Sequence, residues 1–197
     1  MFEKIKSNFK GIAWMLIVLG IAVNGAGALA ISKTGLPLYL DSIGTVFVAV
    51  VAGPWAGALT GLLTNLILGV VSSGYAPYWS VPLLIGLVTG FLANAGWFKH
   101  WWKVIIAGLI IAVLAAAMSS LIAAIVFGEF TFDLSYFLVK EPVDKISTTL
   151  IVFVILKFLP KRIIALFPRR ENVDEKAKQK DETSVILVNS HKERMPC

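Results

Sequence analysis

Two polar side chains stand where polarity is costly. In residues 36–71, LPLYLDSIGTVFVAVVAGPWAGALTGLLTNLILGVV, Asp41 enters one apolar limb and Asn65 lies inside the next. A carboxylate or amide in hydrocarbon must find partners, so such residues usually face the protein interior and mark a site. Tyr39, Ser42 and Thr45 surround Asp41. The chemistry on offer is recognition: a carboxylate to accept hydrogen bonds, beside aromatic faces that could stack a flat ring. The plainer alternative is that Asp41 caps a helix and Asn65 bonds a neighbouring one. Catalysis finds no support. The chain has no Walker lysine motif and no His-Glu-x-x-His, and neither His100 nor His191 lies in an apolar span. No catalytic residue and no metal ligand is therefore expected, and the single cysteine, Cys197, offers neither a disulfide framework nor a thiolate metal site.

The elements that must position these residues are membrane helices. Hydrophobic residues make up 57% of the 197, mean hydropathy is +0.81, and the apolar residues come in long unbroken runs. A helix needs about 20 mainly apolar residues to cross a bilayer, and continuous runs disfavour a β-barrel, whose strands alternate. The expected fold is all-α, a compact bundle of six transmembrane helices. Helix one covers about 11–31 and is expected to be retained rather than cleaved as a signal peptide. Helices two and three cover about 36–52 and 55–71, joined at Gly53-Pro54, where glycine ends one helix and proline starts the next. Helix four runs from Pro82 to about Trp97. Helix five covers about 104–127 and, being dense in alanine, should pack centrally. Helix six runs from about Pro142 to Leu159. Four regions follow: a basic segment at 1–10, a six-helix membrane domain for substrate binding at 11–160, a basic interfacial piece at 161–170, and a polar tail at 171–197 expected to be disordered.

The formal charge of +6 does not point to nucleic acid, because the basic residues cluster beside membrane segments, as topology signals do. With the N-terminus inside, the inner regions hold Lys4, Lys6, Lys10, Lys99, Lys103, Lys157, Lys161, Arg162, Arg169 and Arg170, and the outer ones only Lys33, Lys140 and Lys145. Both termini are therefore expected in the cytoplasm. The outer segments collect Asp41, Glu129, Asp133, Glu141 and Asp144 with Tyr39, Tyr75, Tyr78, Trp79 and Tyr136. Polar and aromatic groups thus converge on one face, as a pocket for a small organic ligand requires. Helix one also carries Ala22, Ala26 and Ala30 at four-residue spacing, with Gly20 and Asn24 nearby. Small residues so spaced let another helix approach closely, either within the fold or from a partner.

With six spans, both termini inside, this alanine stripe and the segment LYLDSIGTVFVAVVAGPWAGALTGLLTNLI, residues 8–165 resemble the substrate-binding S components of energy-coupling factor (ECF) transporters, the riboflavin-type and related ones in particular. The resemblance implies a multi-pass protein of the prokaryotic cytoplasmic membrane that captures a vitamin or related micronutrient from outside. It implies partnership with a membrane coupling subunit and two ATPases, whose ATP hydrolysis drives the S component to topple and release its ligand. It maps the coupling contact onto Ala22, Ala26 and Ala30. By region rather than by motif, it maps ligand contacts onto Tyr39, Asp41, Asn65, Tyr75, Tyr78, Trp79, Asp133, Tyr136, Lys140 and Asp144. Aromatics, carboxylates and few cations disfavour a multiply anionic ligand and leave riboflavin, a pyridoxal-type vitamer, a thiamin precursor or a cobalamin-type corrinoid. The competing classes are an ion-coupled small-molecule carrier and a membrane assembly protein that transports nothing.

Overall fold

The computed structural model describes residues 11–32, 34, 38–128 and 136–160. The regions 1–10, 161–170 and 171–197, and the candidate contact Asp133, lie outside them. Six α-helices follow one another: α1 Gly11–Ser32, α2 Ile43–Ala52, α3 Pro54–Val71, α4 Ser80–Asn94, α5 Trp101–Phe127 and α6 Glu141–Phe158. Tight turns at Ala76–Tyr78 and Trp97–Lys99 precede α4 and α5, and a wide helical turn, Tyr136–Lys140, leads into α6. No strand occurs among the described residues. Helices α1, α3, α4 with its preceding turn, and α5 are long and apolar enough to cross a membrane. The chain is an all-α membrane protein.

The other two helices are different. α6 has 18 residues, enough to span, but carries Glu141, Asp144 and Lys145 in its first turns and Lys157 in its last. α2 has only 10 residues, about 15 Å at 1.5 Å per residue, half of a hydrocarbon core of about 30 Å. The expected second helix from residue 36 therefore begins late. Residues 38–40 are irregular and Asp41-Ser42 form a turn. Leu40 has φ 46°, a left-handed conformation that cannot continue a right-handed helix. The carbonyl of Leu40 also rests where a side chain on Gly27 would stand, so the irregular segment lies directly on the backbone of α1.

α2 nevertheless holds the centre. It packs against α1, α3, α4 and α6, and Gly44, Thr45, Val46, Val48, Ala49, Val51 and Ala52 are all buried. One apolar cluster joins Val48, Val51 and Ala52 to Ala13, Leu16 and Ile17 of α1 and Ala56 of α3. A second joins Val46 to Val81 and Ile85 of α4, Ile111 and Ala115 of α5, and Val152 of α6. Glycine makes these crossings close: Gly44 meets the backbone of Gly20, and Gly86 of α4 meets Gly57 of α3. At both crossings an added Cβ would overlap backbone, the small-residue packing typical of membrane bundles. The alanine-rich α5, expected at the centre, instead buries a stripe including Ala107, Ile111, Ala112 and Ala115 and turns Leu109, Val113, Leu121 and Ile125 outward. The short, deeply buried α2 takes the central position that composition assigned to α5.

Gly53, with φ 102°, ends α2, and Pro54 opens α3, so the expected glycine–proline junction forms. The paired contacts run in opposite directions along neighbouring helices: Gly20 with Gly44 and Gly27 with Leu40, Gly61 with Pro82 and Gly90 with Pro54. The antiparallel course brings residues 38–42, the α3–α4 connection and the start of α6 to one end of the bundle.

Candidate functional site

The site is built downward from that end. One helical turn below it, Asn24 of α1 is fully buried. Its Oδ1 accepts the backbone N–H groups of Gly44 at 2.7 Å and Thr45 at 3.3 Å. Its Nδ2 donates to the hydroxyls of Thr45 at 2.8 Å and Thr64 at 3.0 Å. Ser42, the residue just before α2, makes no side-chain cap hydrogen bond. Asn24 therefore caps α2 from a different helix, satisfying amides that a helix start leaves unpaired. The two threonine hydroxyls of α3 are in turn used up: Thr64 donates to the Thr60 carbonyl and Thr60 to the Ala56 carbonyl, each at 2.8 Å.

Above this seam sits a charged cluster. Asp144 is fully buried, and its Oδ1 accepts the backbone N–H groups of Tyr39 at 2.8 Å and Leu40 at 2.9 Å. Its Oδ2 accepts Lys145 Nζ at 2.6 Å. Lys145, also buried, donates to Ser42 Oγ at 3.3 Å and lies 3.9 Å from Glu141 Oε2 and 4.0 Å from Asp41 Oδ1. Three carboxylates thus surround one ammonium group. Burying such charges is tolerable only when they are paired and hydrogen-bonded, and Asp144 and Lys145 are. Asp41 is held more loosely: Ser42 Oγ donates to it at 3.3 Å, and its side chain keeps 22% exposure.

Electrostatics follow from this geometry. Burial pushes the Asp41 carboxyl above its ordinary range; Lys145 opposes the shift and Asp144 adds to it. Burial likewise raises the Tyr39 phenol, reinforced by Glu141 and Asp41. The Tyr75 phenol rises too, through burial and then Asp41, which brings the α3–α4 connection within electrostatic reach of the cluster. This end offers a carboxylate with spare acceptor capacity beside phenol rings.

Of the contacts expected from the sequence, Tyr39, Asp41 and Asp144 come together, with Tyr75 nearby. Asn65 is buried and donates to the Tyr75 carbonyl at 3.3 Å, so it pins its own following connection. Tyr78 stacks with Phe127 of α5 at a centroid distance of 6.4 Å. Trp79 is 45% exposed at the start of α4. Lys140 and the backbone of Tyr136 belong to the turn before α6. Sequence reasoning did not assign Asn24, Ser42, Glu141 and Lys145 to the site. The available signals were a lone amide within an apolar run and a Glu141–Lys145 spacing of four on α6.

On the opposite face of α1 from Asn24, Ala22, Ala26 and Ala30 are all exposed. They lie among outward Val18, Leu19, Val23 and Leu29, and a Cβ on Gly25 would meet nothing within 4 Å. The helix packs into its own bundle through Ala13, Ile17, Gly20, Asn24 and Ala28 instead. No family model matches this chain, and no curated protein or solved structure matches it.

Proposed function

We propose that the chain is the substrate-binding S component of an ECF-type importer in a prokaryotic cytoplasmic membrane. It takes a vitamin-sized organic ligand at the outward-facing charged end and hands it inward with a membrane coupling subunit and two ATPases. Both termini then face the cytoplasm. The observation that carries this reading is the outward exposure of Ala22, Ala26 and Ala30. Within-fold packing is done by the other face of α1, which leaves a smooth stripe for a helix of another subunit. The charged end supports the ligand half of the reading, with Asp41 as principal acceptor. Asp144 is already saturated by two amides and an ammonium, and acts by fixing residues 38–41.

Both halves can be tested separately. Asp41→Asn should lose about 10-fold to 100-fold in affinity, since charge-assisted hydrogen bonds contribute about 1.5–3 kcal/mol and each 1.4 kcal/mol is tenfold. Calorimetry on purified protein, with the co-purifying compound identified by mass spectrometry, measures this. The same substitution has an opposite effect on the empty protein. The folded Asp41 carboxyl titrates above its ordinary value of 3.8, so its contribution is full below that value and is lost as pH rises through the folded one. Unliganded Asp41→Asn should therefore melt at the same or a higher temperature than wild type near neutral pH. Unchanged affinity with a lower melting temperature would make Asp41 a purely structural group.

Ala26→Phe should abolish ATP-driven uptake while leaving ligand affinity of the isolated chain within about twofold, because a bulky side chain blocks close helix approach. Equal loss of both would place the stripe inside the fold. A second reading, an ion-coupled carrier, draws on the three carboxylates around Lys145. It requires uptake that follows the proton or sodium gradient and persists without ATPases.

A further inference from the structure

Among the described residues, the end of the bundle opposite the charged cluster carries lysines and no carboxylate. Lys99 and His100 are exposed in the connection between α4 and α5, and Lys103 lies one turn into α5. Lys157 is exposed in the last turn of α6. These elements share one end: α5 and α6 run antiparallel, Gly108 meeting Ile146 and the Thr149 hydroxyl donating to the Val104 carbonyl, so the start of α5 lies beside the last turns of α6. No carboxylate balances them from nearby sequence. The chain has no Asp or Glu between Asp41 and Glu129, nor between Asp144 and Glu171. All the ion pairs seen among the described residues centre on Lys145 at the far end.

The aromatic residues around these lysines fix their depth. Trp101 is 64% exposed and Trp102 48%, as expected of indoles at the headgroup level of a bilayer. Lys103 Nζ lies 5.2 Å from the Trp102 ring centroid, and the His100 ring stacks on the same indole at 6.5 Å. Lys157 Nζ stands 5.4 Å from the Phe153 ring centroid. The ammonium groups are thus held beside rings of the interfacial layer, where lipid phosphates lie and where a Lys is worth about fivefold in affinity for an anionic surface.

We infer that Lys99, Lys103 and Lys157, flanked by Trp101 and Trp102, form a binding site for the headgroup of an anionic phospholipid. The missing countercharge is supplied by the bilayer. This holds whatever molecule the opposite end binds.

The test uses the full chain in nanodiscs of equal parts phosphatidylcholine and phosphatidylglycerol. Native mass spectrometry reads the ratio of the two lipids retained after gentle extraction. Wild type should retain phosphatidylglycerol preferentially. K99Q/K103Q should lower that preference about tenfold, from two lysines at about fivefold each discounted for overlap, and K99R/K103R should keep it, which separates charge from folding. Equal retention of both lipids by wild type overturns the inference. So does a preference unchanged in K99Q/K103Q but lost in R169Q/R170Q, which would assign the lipid to the basic segment beyond α6.

Discussion

Asp144→Ala should destabilise the protein by about 3–5 kcal/mol, the usual consequence of removing one partner from a buried ion pair. Three donors lose their acceptor at once: the amides of Tyr39 and Leu40 and the ammonium of Lys145. Lys145 is left with Ser42 Oγ at 3.3 Å and two carboxylates near 4 Å. Residues 38–42 then lose the two hydrogen bonds that fix the amides of Tyr39 and Leu40 beside the left-handed turn. Thermal unfolding in detergent reads the loss, and proteolysis at residues 38–42 reads the local release. The double variant Asp144→Ala/Lys145→Met should recover part of the stability, because it removes the stranded ammonium as well. If Asp144→Ala melts within about a degree of wild type, or the double variant is simply the sum of its parts, the carboxylate is not what fastens the segment.

Asn24→Ala should cost roughly 2–4 kcal/mol, by a different route. No charge is involved. The amides of Gly44 and Thr45 lose the acceptor that caps α2, and each buried unsatisfied donor costs about 1–3 kcal/mol. The hydroxyls of Thr45 and Thr64 lose a donor as well. Because α2 packs against α1, α3, α4 and α6, fraying at its start loosens its packing against those four helices. Hydrogen exchange should show the Gly44 and Thr45 amides deprotected in the variant while α5 amides hardly change. Equal protection in the two proteins would mean that α2 is capped by something other than Asn24.

Hydropathy revealed most of the fold and only part of the site. The runs that become α1, α3 and α5 are long and apolar, and the Gly53-Pro54 junction carries its own stereochemistry, so both were legible locally. The start of α2 was not. Residues 36–42 look like the beginning of an apolar helix, but the amides of Tyr39 and Leu40 are bound instead by Asp144, 104 residues beyond Leu40 in sequence. Asn24 and Asn65 are the same residue type in similar apolar settings. Only the crossing of α1 with α2 and α3 makes Asn24 the hub and leaves Asn65 to a single bond with the Tyr75 carbonyl. Glu141 and Lys145 read as ordinary polar residues at a helix entrance, since their burial depends on residues 38–42 lying over them. The grouping of Tyr39 and Asp41 with Asp144 was accessible for a simpler reason: an alternating up-and-down course brings those segments to one end.

The brevity of α2 has a bearing on biogenesis. Assembly of a helical membrane protein is commonly pictured as independent insertion of each span followed by lateral association. A helix of 10 residues cannot complete the first stage alone, for it is too short to bridge the bilayer and its opening amides depend on Asn24 of α1. It has to enter the membrane together with α3, already sheltered by α1. Three helices are therefore committed as one cotranslational unit, and the most buried element of the finished bundle is the one least able to reach the membrane unaided.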